Sequence, residues 1–220
     1  MQKIVIFGTG DFAELAYYYF NNDINYEVVA FTVNKLYIST DKFLGLPLIP
    51  FEIVESIYPQ DQFHMFVAVG YTQINKVRSN IYMQAKSKGY RFASFISNDA
   101  IIAKNVQLGA NSFILEGVIV QPFVKVGDAV ILWSGCHIGH HSIINNYCFI
   151  APNASLSGNV IINEGCFIGN SAVIRDSVEV GRECVIGAGV AILGNTVEKS
   201  VYKSIHSMPM GISSDQLRSI

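Results

Sequence analysis

The chain has 220 residues, of which only 15% are charged, and its formal net charge is −2, so no basic surface recommends nucleic acid or an anionic membrane as a partner. A mean hydropathy of +0.34 raises the question of a membrane, but no apolar run approaches the roughly 18 to 20 residues that a spanning helix needs. The start, MQKIVIFGTG, lacks the apolar core and cleavage site of a signal peptide, and the expectation is a cytoplasmic protein.

In chain order, residues 1–97 read as alternating strands and helices. KIVIFG (3–8) predicts a strand, DFAELAYYYFNN a helix and YEVVAFTV (26–33) a second strand. LIPFEIVESIY predicts a helix, FHMFVAVG (63–70) a third strand, TQINKVRSNIYMQAKSKG (72–89) a helix and RFASFI (91–96) a last strand. Strands alternating with helices imply a parallel, Rossmann-like sheet with right-handed crossovers. Gly8-Thr9-Gly10-Asp11-Phe12-Ala13 fits G-x-G-x-x-A directly after a strand. Two features argue against NAD(P). The second strand runs into Asn34 without the acidic residue that would hold a ribose, and fewer than 100 residues make too small a sheet for both nucleotide halves. The expectation is a half-site that holds one nucleotide on the Gly8 to Phe12 backbone; the alternative is a purely structural tight turn.

A period of six then takes over. Every sixth residue from Ile102 to Ile192 is aliphatic, and two places before each lies a small or β-branched residue. Residues two apart on a strand share a face, so both sets point into one interior. No charge occurs at either phase. Short strands separated by corners, stacked on one apolar column, make a parallel β-solenoid over 98–200, followed by a tail, 201–220. Cys136, Cys148, Cys166 and Cys184 share the inward small-residue phase, without a CxxC pair. They predict buried, unpaired thiols rather than disulfides or a metal site, with a hydroxyl in their place costing about 1–3 kcal/mol.

Within GCHIGHHS (135–142), Cys136 and Ile138 point inward. His137 therefore points out from a flat face, and His140 with His141 lies at a corner. Three imidazoles this close can act as acid and base, bind a metal, or sit inertly on a surface. Their charge change near neutral pH suits proton transfer.

IGNSAV (168–173) and IGAGVA (186–191) resemble the hexapeptide repeats of acyltransferases that fold as a left-handed β-helix with three strands, about 18 residues, per coil. A small Rossmann-like domain followed by such coils is similar to the NeuD/PglD-like sugar acetyltransferases. CHIGHHS looks closest to the viosamine-type members, which act on a dTDP-linked 4-amino-4,6-dideoxyglucose. The resemblance implies an α/β Rossmann-like N-terminal domain plus an all-β left-handed parallel β-helix. It implies acetyl-CoA as co-substrate, a nucleotide-linked aminosugar as substrate, a role in surface glycans, and a homotrimer without a metal. It places the nucleotide sugar at Gly8, Gly10, Asp11, Phe12 and Asn34, at Gly70, Tyr71 and Arg78 of FVAVGYTQINKVR (66–78), and at His137. The pantetheine arm would lie along Gly158, Asn170, Gly187 and Ala188. His140 stands at the family's catalytic position, with His141 where an acidic residue usually orients that imidazole. Phe149 replaces a second histidine found in some relatives, and SIHSMPMGISSDQ replaces the family's usual close.

Other functions remain open at this point: a sugar O-acetyltransferase, a non-catalytic solenoid that binds sugar nucleotides, or a trimeric metalloprotein like the γ-type carbonic anhydrases. Three ligands on one coil, on different sides of a corner, converge poorly on one ion. Outward apolar residues such as Phe113, Ile119 and Trp133 predict cover by neighbouring copies.

Overall fold

The computed structural model describes residues 1–205, 211 and 214–216, so most of the expected tail lies outside the described residues. Its first part is built on a hydrophobic strand, β1 (Gln2–Phe7), whose Ile4, Val5 and Ile6 are wholly buried. Alternate residues of that strand face two different cores, as a strand covered on both sides requires. One side is covered by α1 (Asp11–Asn21), which turns Ala13, Ala16 and Phe20 inward at helical spacing. Next come β2 (Tyr26–Val33), β3 (Lys42–Phe43), β4 (Leu46–Pro50), α2 (Val54–Ile57), β5 (His64–Val67) and α3 (Lys76–Ser87). The sheet runs β3-β4-β2-β1-β5, with β4, β2, β1 and β5 parallel. The other side is covered by α2 and α3, through Val54, Ile81, Tyr82 and Ala85.

Three expected elements differ. LIP is not helical: Leu46–Pro50 pairs with β2 and, through a Leu44–Gly45 turn with both φ positive (48° and 81°), with β3. That is the two-residue turn that fits hairpin twist. The third helix starts at Lys76 rather than Thr72, because Gln73, Ile74 and Asn75 are all left-handed. RFASFI divides, with Phe92 bridging Met65 in the α/β sheet and Phe95–Ile96 pairing with the solenoid.

The solenoid consists of two-residue strands from β6 (Phe95–Ile96) to β23 (Val201–Tyr202), paired in parallel at a separation of 18, as Ile101 with Ile119 and Ile119 with His137, except for the last pair, Val185 with Val201, at 16. Three strands thus make a coil and the strands form three stacked faces. The inward column from Ile114 to Ile192 packs into one core. At every sixth residue from Asn111 to Gly189 the backbone is left-handed. This conformation costs a side chain about 1–2 kcal/mol, which explains Gly117, Gly135, Asn153, Asn159 and Gly165. Phe123, His141, Tyr147 and Glu183 are bulky exceptions.

The outward residues distinguish the faces. On the first, Phe113, Ile131 and Phe149 are buried beneath α1 and the sheet. This corrects one expectation: Phe113 is wholly covered by the chain's own N-terminal domain, and Trp133 partly so. The second face presents Ile101, Ile119, His137, Ser155, Val173 and Ala191, of which Ile101 is 66% exposed and Val173 45%. The third presents Gln107, Lys125, Ile143, Ile161 and Glu179.

One edge of this prism is hooked by the segment from β5 to α3. Asn111 accepts the Val67 N–H (2.7 Å). Arg78 is wholly buried, and its five N–H groups go to five backbone carbonyls: Ala129, Tyr147 and Cys148 on two successive coils, and Val69 and Gly70 on its own loop. Asn75 donates to Gly165 and Cys166 on the next coil, and Lys76 pairs with Glu183 on the one after (2.9 Å). Arg78 was expected at the substrate. With every donor occupied and no exposed surface, it cannot meet one.

The four cysteines are unpaired and buried, as read. Their thiols do more than fill space. Cys148, Cys166 and Cys184 donate to the carbonyls of Asn163, Gly181 and Val197 at 3.0–3.2 Å, and Ser142 bonds the Ser157 carbonyl in the same way. Burial pushes the Cys136 thiol up to about 12, so it supplies no nucleophilic thiolate near neutral pH.

Two outcomes follow for stability. Arg78→Met strands buried carbonyls and should cost at least about 3 kcal/mol, lowering the melting temperature by about 6 °C or more. Arg78→Lys, with three donors instead of five, should not restore it. Melting within about 1 °C of wild type would contradict the clasp. Cys166→Ser should cost less than about 1 kcal/mol, because a hydroxyl finds the acceptor the thiol now uses; a loss near 3 kcal/mol in denaturant titration would show that the carbonyl is out of its reach.

Candidate active site

The expected site residues fall into separate groups. Phe12, Gly70, Tyr71 and Asn170 line one cleft of about 330 Å³ between the α/β domain and the first face of the solenoid. Its floor is aromatic: Trp133, Phe149 and Phe167 stack in sequence at 5.6 and 5.5 Å, and the Tyr71 ring meets Phe149 edge-on at 5.1 Å. Phe149 is therefore part of this floor rather than a group beside the histidines. Such a floor accepts a flat, apolar surface, with Asn170 as a polar group at the rim. Phe12 closes the wall, packed edge-on against Phe113 at 5.2 Å.

The glycines of the first turn have different physical duties. A Cβ on Gly8 would lie 2.7 Å from the Ala68 carbonyl oxygen, at a φ of +133°, so packing alone requires glycine there. A Cβ on Gly10 would meet nothing within 4 Å. Gly10 caps α1 without a side-chain hydrogen bond, and exposed Asp11 follows it, so this helix start presents backbone N–H groups outward. That arrangement suits an anion such as a phosphate. Asn34 lines a different hollow of about 430 Å³, with Tyr37, Glu52 and Gln84.

His140 and His141 stand exposed at the corner between the second and third faces. Their Nδ1 atoms lie 3.1 Å apart, so one ring donates and the other accepts. The His140 backbone N–H donates to Gln121 Oε1 (2.9 Å). The His141 ring stacks on Phe123 of the preceding coil, centroids 4.6 Å apart and planes 25° apart. On the following coil, a Cβ at Gly158 would strike the His140 ring at 2.5 Å from Cε1 and 2.7 Å from Nε2. Gly158 is glycine because the imidazole occupies that space. His137 is half-buried on the adjoining flat face. Gly187 and Ala188 lie directly over Gly169 at another corner, and Asn170 bonds Gly189 there. Among the described residues no group of three His, Cys, Asp or Glu side chains is placed to hold a metal.

One chain does not bring these groups together. The N-terminal domain covers the first face, and the histidine corner is the edge opposite that face. Sequence reading also missed Gln121, Phe123, Trp133 and Phe167. Phe149 and Phe167 do carry a signal, being outward aromatics 18 apart. Phe123 becomes conspicuous only once its corner position is known to be left-handed.

A family model described as bacterial transferase hexapeptide (six repeats) matches residues 123–158 and 159–194. A histidine-to-asparagine variant of perosamine N-acetyltransferase from Caulobacter crescentus, in complex with CoA and GDP-perosamine, superposes with a TM-score of 0.81 at 22% identity, over 91% of this chain and 93% of that one. The acetyltransferase domain of PglB from Neisseria gonorrhoeae FA1090, in complex with acetyl coenzyme A, gives 0.80 at 24%, over 91% and 95%. WeeI from Acinetobacter baumannii AYE gives 0.76 at 19%, over 91% and 96%. The chain thus carries the bacterial transferase hexapeptide repeat and shares its fold, over nine-tenths of its length, with a perosamine N-acetyltransferase and the acetyltransferase domain of PglB.

Proposed function

We propose that the protein is an acetyl-CoA-dependent N-acetyltransferase acting on a nucleotide-linked aminosugar for surface glycans, working in the cytoplasm as a homotrimer with left-handed coils. The observation that carries this reading is the exposed His140 imidazole, hydrogen-bonded through Nδ1 to a neighbouring ring and packed against Gly158 of the following coil. It occurs on a fold shared with proteins whose structures hold CoA with GDP-perosamine, or acetyl coenzyme A.

The chemistry is direct transfer. The sugar amine attacks the thioester carbonyl, the C–N bond forms, and the C–S bond breaks. His140 Nε2 takes the amine proton, which ends on the departing CoA thiol. A backbone amide at the corner stabilises the oxyanion. The pantetheine arm runs along Gly158, Asn170, Gly187 and Ala188, where small residues and backbone allow close approach. The nucleotide sugar lies on the α/β domain, whose parallel strands follow the order of the first half of a Rossmann sheet. Gly10, Asp11 and Phe12 meet the diphosphate end, with Asn34, Gly70 and Tyr71 further along.

A complete site needs a second copy. The exposed second face, with Ile101, Ile119 and Val173, lies between the histidine corner and the edge that borders the cleft. Packing a neighbour against this face covers apolar surface and carries the neighbour's cleft toward His140. His137, on the same face, then meets that neighbour.

The test uses acetyl-CoA, a thiol reagent and a panel of UDP-, dTDP- and GDP-linked aminosugars. One of these should release CoA in proportion to N-acetylated product. His140→Ala should lower kcat/KM by about 10² to 10⁴ without altering the melting temperature, since the residue lies outside the core. Activity within a few-fold of wild type would remove His140 from the chemistry.

A further inference from the structure

The position next to the proposed base holds an imidazole, not a carboxylate, and that imidazole is held by an aromatic ring. We propose that His141 accepts the Nδ1–H of His140, fixing His140 in the tautomer whose Nε2 is free, and that Phe123 holds His141 in place and stabilises the positive charge it gains. The proposal rests on His140 being the base.

Three observations carry it. The Nδ1 atoms are 3.1 Å apart, which permits one shared proton between them. Only one tautomer pair leaves Nε2 of His140 unprotonated: His140 bears its proton on Nδ1, and His141 bears its own on Nε2. The near-parallel Phe123 ring, 4.6 Å from His141, presents a π-face to that imidazole. A face of this kind attracts a cation. Third, Phe123 and His141 are both left-handed (φ 67° and 59°) on successive coils, whereas the next two coils place Asn159 and Ser177 at the same corner position. Such conformations persist only where surrounding contacts hold them, and they cluster at functional sites.

The proton account closes. As the amine proton reaches Nε2 of His140, the ring becomes an imidazolium, whose Nδ1–H is bonded to, or passes to, Nδ1 of His141. When it passes, His140 is left neutral and His141 becomes the cation, stacked on Phe123. Return of that proton through His140 to the CoA thiolate restores both rings. Phe123 and His141 are positioning residues, because neither touches the reacting atoms.

The experiment is ¹⁵N NMR of the histidine rings in the full-length protein at neutral pH, without substrate. His140 should show a protonated Nδ1 and an unprotonated Nε2, and His141 the reverse. Phe123→Asn places here the residue found at the same corner at Asn159, and at the left-handed positions of the other edges at Asn111 and Asn153. It should keep the melting temperature at or above wild type while losing the fixed tautomers, and Phe123→Trp should keep them. With the aminosugar identified by the panel, Phe123→Asn should lower kcat about 10-fold to 100-fold and leave KM for acetyl-CoA within about twofold. A wild-type His140 protonated on Nε2, or an unchanged kcat in Phe123→Asn, would overturn the proposal. If His140→Ala is active, the base assignment fails whatever the tautomers; if His140→Ala is inactive and the tautomers are reversed, this proposal fails alone.

Discussion

The buried Arg78 guanidinium is the interaction on which the rest of the molecule depends. Among the described residues no carboxylate neutralises it; five carbonyl oxygens face it instead. Burial pushes the guanidinium down to about 9, so it remains charged at neutral pH. Charged hydrogen bonds in a dry site are strong, and the cost of desolvation is recovered only with all five in place. Three of the carbonyls belong to solenoid corners and two to the loop that carries Gly70 and Tyr71. One side chain therefore fixes the loop, the third helix and two coils in one frame. The aromatic cleft inherits its shape from that frame.

The rungs above and below extend the same device. Asn111, Ala129, Tyr147, Gly165 and Glu183 recur at the coil period, and each meets the segment from Val67 to Arg78. A solenoid is built from nearest-neighbour contacts and bends or frays easily at its ends. A helix laid across successive corners couples coils that otherwise meet only through their neighbours. This edge is thereby rigid, while the histidine corner, the next edge round the prism, is exposed.

Much of this was legible in the sequence, and the limits have physical causes. The column from Ile102 to Ile192 was readable because an interior with a fixed repeat admits only residues of one kind at each phase. The same rule identified the cysteines as core residues and turned His137 outward. What it did not show was which outward residues would be covered, since Phe113 and Trp133 look alike whether the cover is the chain's own domain or another copy. Arg78 was placed at the substrate by resemblance of FVAVGYTQINKVR alone, and three of its five carbonyl partners lie 51 to 70 residues distant, where no local pattern shows them. The left-handed run Gln73-Ile74-Asn75 lacks the glycines that would mark it. Backbone carbonyls leave no trace in a sequence, so neither clasp nor turn was visible.

The two halves of the proposed site lie on opposite sides of one chain, and the account therefore claims that each working site is built from two copies. The most direct measurement mixes two impaired variants, His140→Ala and Gly10→Val (which puts a side chain at the helix start proposed to meet the diphosphate), by co-expression and separates the hybrid oligomers. If the histidine corner of one copy serves the cleft of another, hybrids recover a substantial share of wild-type turnover, well above either parent. Hybrids no more active than their parents would show that each chain must carry both halves itself, and would contradict the account.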